Sequence, residues 1–175
     1  MKVTREVKVA MSSELEHPSG VRIRQAKKED AVAIESVLRQ SFAEYVALYT
    51  PEGYAATTPE RDEIAARMEE GPAWIACDGE QIVGTVSVLL KPSGTYIRSM
   101  AVTPSARGFG IAKRLLSKIE QFAKTQASTR LFLSTTPFLN HAIRLYEASG
   151  FRRTNEGPHN LFGTPLFTME KSIVR

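Results

Sequence analysis

Apolar residues recur along the chain in two periods, and the switching between them predicts a mixed α/β fold. Val21-Arg-Ile-Arg-Gln25 alternates in period two, as a half-buried strand does. From Lys28 to Val46 the apolar positions Ala31, Ile34, Leu38 and Phe42 fall three and four residues apart, which predicts an amphipathic helix. Thr58 and Pro59 supply an N-cap and a first-turn proline for a second helix running to Glu69, and Gly71-Pro72 stops it. Trp74 to Cys77 and Gln81 to Leu90 flank Asp78-Gly79, a dipeptide suited to tight hairpin turns, so they predict a β-hairpin. Lys91-Pro-Ser-Gly94 turns the chain into a further strand from Thr95 to Val102, closed by Thr103-Pro104. Ile111, Leu115, Ile119 and Phe122 then form one stripe of a helix from Gly110 to Lys124. Arg130 to Thr135 reads as a short apolar strand, and Leu139 to Ser149 as a helix ended by Gly150. Phe151 to Thr154 and Leu166 to Ile173 supply two last strands.

Ahead of this pattern, Met1 to Gly20 have little periodicity and end in His-Pro-Ser-Gly, which predicts a flexible N-terminal arm before one domain over residues 21–175. A chain of 175 residues with 42% hydrophobic content suits a single core. No apolar run approaches the ~18 residues that span a bilayer, and the first twenty residues lack a secretory apolar core. The lone Cys77 cannot form an internal disulfide, and its apolar surroundings predict a buried strand thiol rather than a nucleophile. His17, His141 and His159 are scattered, so no metal site is expected. These features point to a reducing, cytoplasmic setting with no membrane association.

Net charge is +4, but its distribution matters more than its size. Arg98 to Arg130 carry seven basic residues against Glu120 alone, a surplus of +6, whereas Glu29 to Glu80 carry twelve acids against three arginines. An anionic ligand would be drawn to the later half and a cationic one to the earlier half. Nucleic acid is not an expected partner, because aromatic residues are not interleaved with the basic ones.

Within the basic half, Arg107-Gly-Phe-Gly-Ile-Ala112 joins a strand to a helix. Unpaired N–H groups and the helix dipole make such a junction an anion site, and glycines let the backbone approach a phosphate closely. Arg107, Lys113 and Arg114 could meet phosphate charge from three directions. Two glycines before a helix also serve as a plain tight connection. Neither the P-loop pattern nor a complete dinucleotide fingerprint is present.

The segment Met100-Ala-Val-Thr-Pro-Ser-Ala-Arg-Gly-Phe-Gly-Ile-Ala112 resembles the cofactor motif of the GCN5-related N-acetyltransferase (GNAT) family, with Arg107, Gly110 and Ala112 at the signature positions. Asn140-His-Ala-Ile-Arg-Leu-Tyr-Glu-Ala-Ser-Gly-Phe151 is similar to that family's later motif, in the right order along the chain. The resemblance covers Val21 to Lys171 and implies an α/β (α+β) domain: a mixed sheet of about six or seven strands flanked by about four helices, splayed between the fourth and fifth strands. It further implies that acetyl-CoA, or another short acyl-CoA, lies in the splay. Met100, Ala101 and Val102 would bind it by backbone hydrogen bonds, and Arg107, Gly108, Phe109, Gly110, Ile111, Ala112 and Lys113 would wrap the pyrophosphate. Asn140 would bond the pantetheine arm, and Tyr146 would sit near the thioester sulfur.

The implied activity is acyl transfer to a primary amine, small-molecule or peptide, by direct attack in a ternary complex. Such a reaction needs an oxyanion donor and an acid for the departing thiolate. The Met100 N–H, freed by a β-bulge, and the Tyr146 phenol are the candidates. No carboxylate lies between Gly94 and Val102, so no general base is assigned. Tyr96 and Arg98 share a strand face with Met100, and Glu44, Tyr45, Tyr49 and Glu52 follow the first helix, which makes them candidate acceptor contacts. Arg98 suits an acceptor carboxylate better than an amine. A homodimer is a possible assembly, and a non-catalytic CoA-binding module is the alternative reading.

Overall fold

The chain is described here by a computed structural model covering residues 20–174; the expected arm, but for Gly20, lies outside the described residues. Eight strands form one mixed sheet: β1 (Arg22–Gln25), β2 (Ala73–Asp78), β3 (Gln81–Lys91), β4 (Gly94–Val102), β5 (Arg130–Thr135), β6 (Arg152–Arg153), β7 (His159–Leu161) and β8 (Thr164–Ser172). Their spatial order is β1-β2-β3-β4-β5-β8-β6, with β7 paired to β8. Only β4 and β5 run parallel among these neighbours. Five α-helices flank the sheet: α1 (Ala31–Phe42), α2 (Pro51–Thr57), α3 (Arg61–Glu70), α4 (Ile111–Thr125) and α5 (Asn140–Ala148).

The apolar run in β2 explains the layering. Ile75 and Cys77 pack with Ile34, Leu38 and Ile64 of α1 and α3, whereas Trp74 and Ala76 pack with Ile111, Leu115 and Ile119 of α4. A strand with helices on both faces must be apolar at every position rather than at alternate ones. Cys77 is thus a buried strand thiol, as its context predicts. On α4, Leu115 and Ile119 are fully buried, and Phe122 meets Trp74 with ring centroids 5.1 Å apart. Burial of one such aliphatic side chain contributes about 1.5–3 kcal/mol.

Four expectations need correction. The first helix is α only from Ala31 to Phe42, because 3₁₀ turns at Lys28–Asp30 and Ala43–Leu48 take up its ends. An additional helix, α2, occupies a stretch to which no element was assigned: the Thr50 hydroxyl accepts from the Gly53 N–H at 3.1 Å and Pro51 fills the first turn. Thr58 therefore ends α2, its hydroxyl donating to the Tyr54 carbonyl at 2.9 Å, and does not cap α3, which starts at Arg61 behind Glu60. The strand count rises to eight because His159–Leu161 folds back on β8 through Phe162-Gly163, a hairpin too short and too exposed to leave an apolar pattern. Among the described residues, no helix is long and apolar enough to cross a membrane.

Candidate active site

Strands β4 and β5 are paired only at Thr95 with Leu131 and at Tyr96 with Phe132; beyond Tyr96 they separate. The splay therefore falls between the fourth and fifth strands, as expected. A cavity of about 1330 Å³ opens there. The exit of β4, the following turn, the end of β5 and one face of α5 line one half. The 3₁₀ turn after α1, with α2, α3 and the β7–β8 hairpin, lines the other.

A bulge interrupts β4 at this point. Thr85 pairs with Ala101 but Ser87 pairs with Arg98, so Ser99 and Met100 stand opposite Val86 alone. Ser99 has φ of 53°, a left-handed conformation that a residue with a Cβ adopts only when its surroundings enforce it. The Ser87 hydroxyl donates to the Arg98 carbonyl at 3.2 Å and secures the strand just before the bulge.

Past β4, Pro104–Ala106 form a 3₁₀ turn, and Arg107 to Gly110 lead into α4. Gly108 and Gly110 have φ of 85° and 75°, and a Cβ built on either would meet nothing within 4 Å. The glycines thus answer to the dihedral angles, and the space over the turn is open to a ligand. No acidic residue occupies the first turn of α4, so nothing there offsets its dipole. Lys113 lines the cavity.

The other two expected phosphate-binding guanidinium groups are engaged elsewhere. Arg107 donates through Nη2 to the Ser41 carbonyl at 2.9 Å, through Nε to the Val102 carbonyl at 3.3 Å, and forms an ion pair with Glu44 through Nη1. Arg107 lines the cavity but holds the turn against the end of α1. Arg114 reaches back to the Val21 carbonyl at 2.8 Å. Glu44 is correspondingly taken by Arg107 and does not line the cavity, a departure from its expected acceptor role.

Tyr146 projects from α5 with 7% of its surface exposed, and its hydroxyl lies 3.8 Å from the Met100 sulfur. Burial pushes its phenol well above the ordinary value, with Tyr96 and Tyr49 adding smaller effects. It is therefore protonated throughout the neutral range. Asn140, the first residue of α5, is exposed and stands off the cavity wall, where His141, Ala142 and Leu145 sit instead. Phe109 is likewise part-exposed and off the wall.

Of the expected acceptor contacts, Tyr45, Tyr49, Glu52, Tyr96 and Arg98 all line the cavity. Tyr49 is buried, packed edge-on against Phe138 at 4.9 Å, and its phenol is pushed up by that burial. The sequence reading missed Glu63 and Arg67 of α3 and Leu161 and Phe162 of the hairpin, all on the same wall. Glu63 and Arg67 stand one helical turn apart, and that spacing was the available signal.

The sequence also matches the model of the Acetyltransferase (GNAT) family over residues 34–151. The chain belongs to this family. It is 34% identical over 140 residues to the N-acetyltransferase YjgM of Escherichia coli K12, an alignment covering 77% of this chain and 83% of that protein. A shorter match, 39% over 89 residues, relates it to N-acetyltransferase 8B of Rattus norvegicus, covering 47% of this chain and 40% of that one. Among solved structures, the PaiA N-acetyltransferase of Thermoplasma acidophilum in complex with coenzyme A superposes with a TM-score of 0.74 at 18% identity, over 87% of this chain and 98% of that chain. The acetyltransferase yncA of Salmonella typhimurium with acetyl-CoA superposes with a TM-score of 0.69 at 21% identity, over 89% and 95%. At those identities the superpositions establish the fold, and the family match makes the chain an N-acetyltransferase.

Proposed function

We propose that this GNAT member transfers the acetyl group of acetyl-CoA to a primary amine by direct attack within a ternary complex. The observation that carries the reading is the juxtaposition of the β4 bulge with Tyr146 across the split sheet, at the head of an open glycine turn. The donor supplies an activated acyl group on a thiol leaving group. Two of the structures similar to this chain were solved with CoA or acetyl-CoA, which supports the same donor here. The turn from Gly108 to Lys113 would receive the pyrophosphate through the N–H groups that begin α4.

In this reading, the Met100 N–H, in the bulged pair, donates to the carbonyl oxygen as it gains charge. Tyr146 gives its proton to the departing sulfur, and the proton released by the amine nitrogen restores the phenol through water. Of the carboxylates on the wall, Glu63 is paired with Arg67, and Glu52 has no ion pair among the described residues. In this reading Glu52 would attract the cationic amine and take up its first proton through water before attack, and the second, lost from nitrogen as the tetrahedral intermediate collapses, is the one that restores the phenol. The single cysteine, buried as a free thiol in β2, supports a reducing, cytoplasmic setting.

The test is to incubate the protein with acetyl-CoA and a panel of amines while following free thiol. Thiol release dependent on an amine is expected; release no faster than buffer with every amine, alongside tight CoA binding by calorimetry, would favour a non-catalytic CoA-binding module.

A further inference from the structure

Arg67 and Arg98 stand together on the acceptor side of the bulge, each ion-paired with a carboxylate of α3. Arg98 is mostly buried and donates backwards into α3: Nη2 to the Arg67 carbonyl at 3.1 Å and Nη1 to the Glu70 carboxylate at 2.9 Å. Among the described residues its Nε is buried without a hydrogen-bond partner. Arg98 therefore secures the last turn of α3, and with it the root of the Arg67 side chain. The Arg67 guanidinium is held along one edge, where Nη2 pairs with Glu63 and lies 3.5 Å from the Ala56 carbonyl. The other edge is unspent. Among the described residues, Nη1 meets only the Ser99 hydroxyl, at the outer limit of 3.5 Å.

The position of that free edge decides what it can bind. Ser99 is the bulge residue immediately before Met100, and Arg67, Ser99 and Met100 line the same cavity, so an anion between Arg67 Nη1 and Ser99 Oγ would lie beside the residue whose N–H faces the reacting carbonyl in the proposed reading. A guanidinium edge beside a hydroxyl is a carboxylate receptor by geometry. We propose that the amine acceptor is an α-amino acid, with its carboxylate bound by Arg67 and Ser99 and its amino group thereby directed at the thioester. The inference rests on the acceptor being an amine acetylated in this cleft. Arg98 is then a positioning residue: it touches no substrate but fixes the helix turn that presents Arg67.

The experiment compares L-α-amino acids with their primary amides, which keep the amine and remove the negative charge. Wild-type protein should show kcat/KM roughly 10–100-fold higher for the acid of its preferred pair, as expected for a charge-assisted contact. Arg67→Gln should bring the two to near parity through KM, and Ser99→Ala should lower the acid alone by about threefold. Equal use of acid and amide by the wild type, or equal loss on both in Arg67→Gln, overturns the proposal. If Arg67→Gln does not fold, Ser99→Ala carries the same comparison. Calorimetry with N-acetyl amino acids and their amides on CoA-loaded protein gives a readout without turnover. Tighter binding of the carboxylates supports the proposal even if no thiol is ever released, a result that would count against the transferase reading alone. No difference in binding overturns the carboxylate site.

Discussion

The Tyr146 hydroxyl and the Met100 sulfur face each other at 3.8 Å across the gap where β4 and β5 part. The Tyr146 ring packs in the core on Phe151, and its hydroxyl joins α5 to the bulge on the wall of the cavity.

Tyr146→Phe removes the hydroxyl while keeping the ring that packs on Phe151 at 5.7 Å. The expected result is a fall in kcat of about 10²–10³ with little change in melting temperature or acetyl-CoA affinity. Because burial raises the phenol above its ordinary value, the wild-type kcat profile should show no downturn from this group below about pH 10. Rate–pH profiles of both proteins check the two statements together. An unchanged kcat in the phenylalanine variant would remove Tyr146 from the reaction.

At Gly110 the φ of 75° resists any residue with a Cβ. Gly110→Ala should cost about 1–2 kcal/mol of stability and weaken CoA binding about tenfold, because in the proposed reading the same backbone accepts the pyrophosphate. Gly79, with φ of 58° in the hairpin between β2 and β3, provides the control. Gly79→Ala should lose similar stability and leave CoA affinity untouched. Thermal melts and calorimetric titration separate the outcomes, and equal loss of CoA affinity in both variants would mean that strain alone accounts for the effect.

Asp30 joins Arg24 of β1 to the start of α1 through two bonds of 2.8 Å, and accepts the Lys27 N–H at 2.7 Å. The Arg24 contact is the largest cause holding its carboxyl below the usual range, and Glu120 and Glu170 are lowered in the same direction by Lys171 and Arg130. A carboxylate lowered on folding stabilises the fold above its unfolded pKa, near ~4, and that contribution is lost as pH falls through the lower folded value. The melting temperature should therefore be flat near neutrality and drop below about pH 4. Arg24 is 42% exposed, so solvent screening limits Asp30→Asn to about 1 kcal/mol at pH 7. Melts across pH should show the variant and wild type converging at acid pH.

The sheet and the glycine turn were legible in the sequence because each leaves a local trace, a doubly apolar β2 and two glycines where left-handed dihedrals are needed, whereas the splay was expected only through the resemblance of the two motifs to the GNAT family. The acceptor wall was only half legible. Helix α2 hides behind Pro51 and Gly53, residues that ordinarily signal a loop, and its cap partner Thr50 also bonds Thr164 and Phe162 on a hairpin distant in sequence. The engagement of Arg107 by Glu44 is equally non-local. A motif position identifies the residue, but only the placement of α1 reveals that its charge is already paired.

That pairing yields a prediction of its own. Arg107 and Glu44 link the cofactor turn to the 3₁₀ segment after α1, and through it to the wall bearing Tyr45 and Tyr49. If Arg107 acted as a phosphate ligand, Arg107→Gln would raise the acetyl-CoA KM and Glu44→Gln would leave it unchanged or improve it by freeing the guanidinium. Acting as a strut, the pair should fail together. Each single variant then raises the acetyl-CoA KM and the acceptor KM by similar factors of roughly three to ten, and the double variant is scarcely worse than either. The coupling comes from a contact that is 37% and 50% exposed at its two ends, so most of the effect should be positional rather than electrostatic. A double-mutant cycle in KM, repeated at high salt, distinguishes the two: a strut held also by the Ser41 and Val102 carbonyls survives salt, whereas a phosphate contact weakens with it.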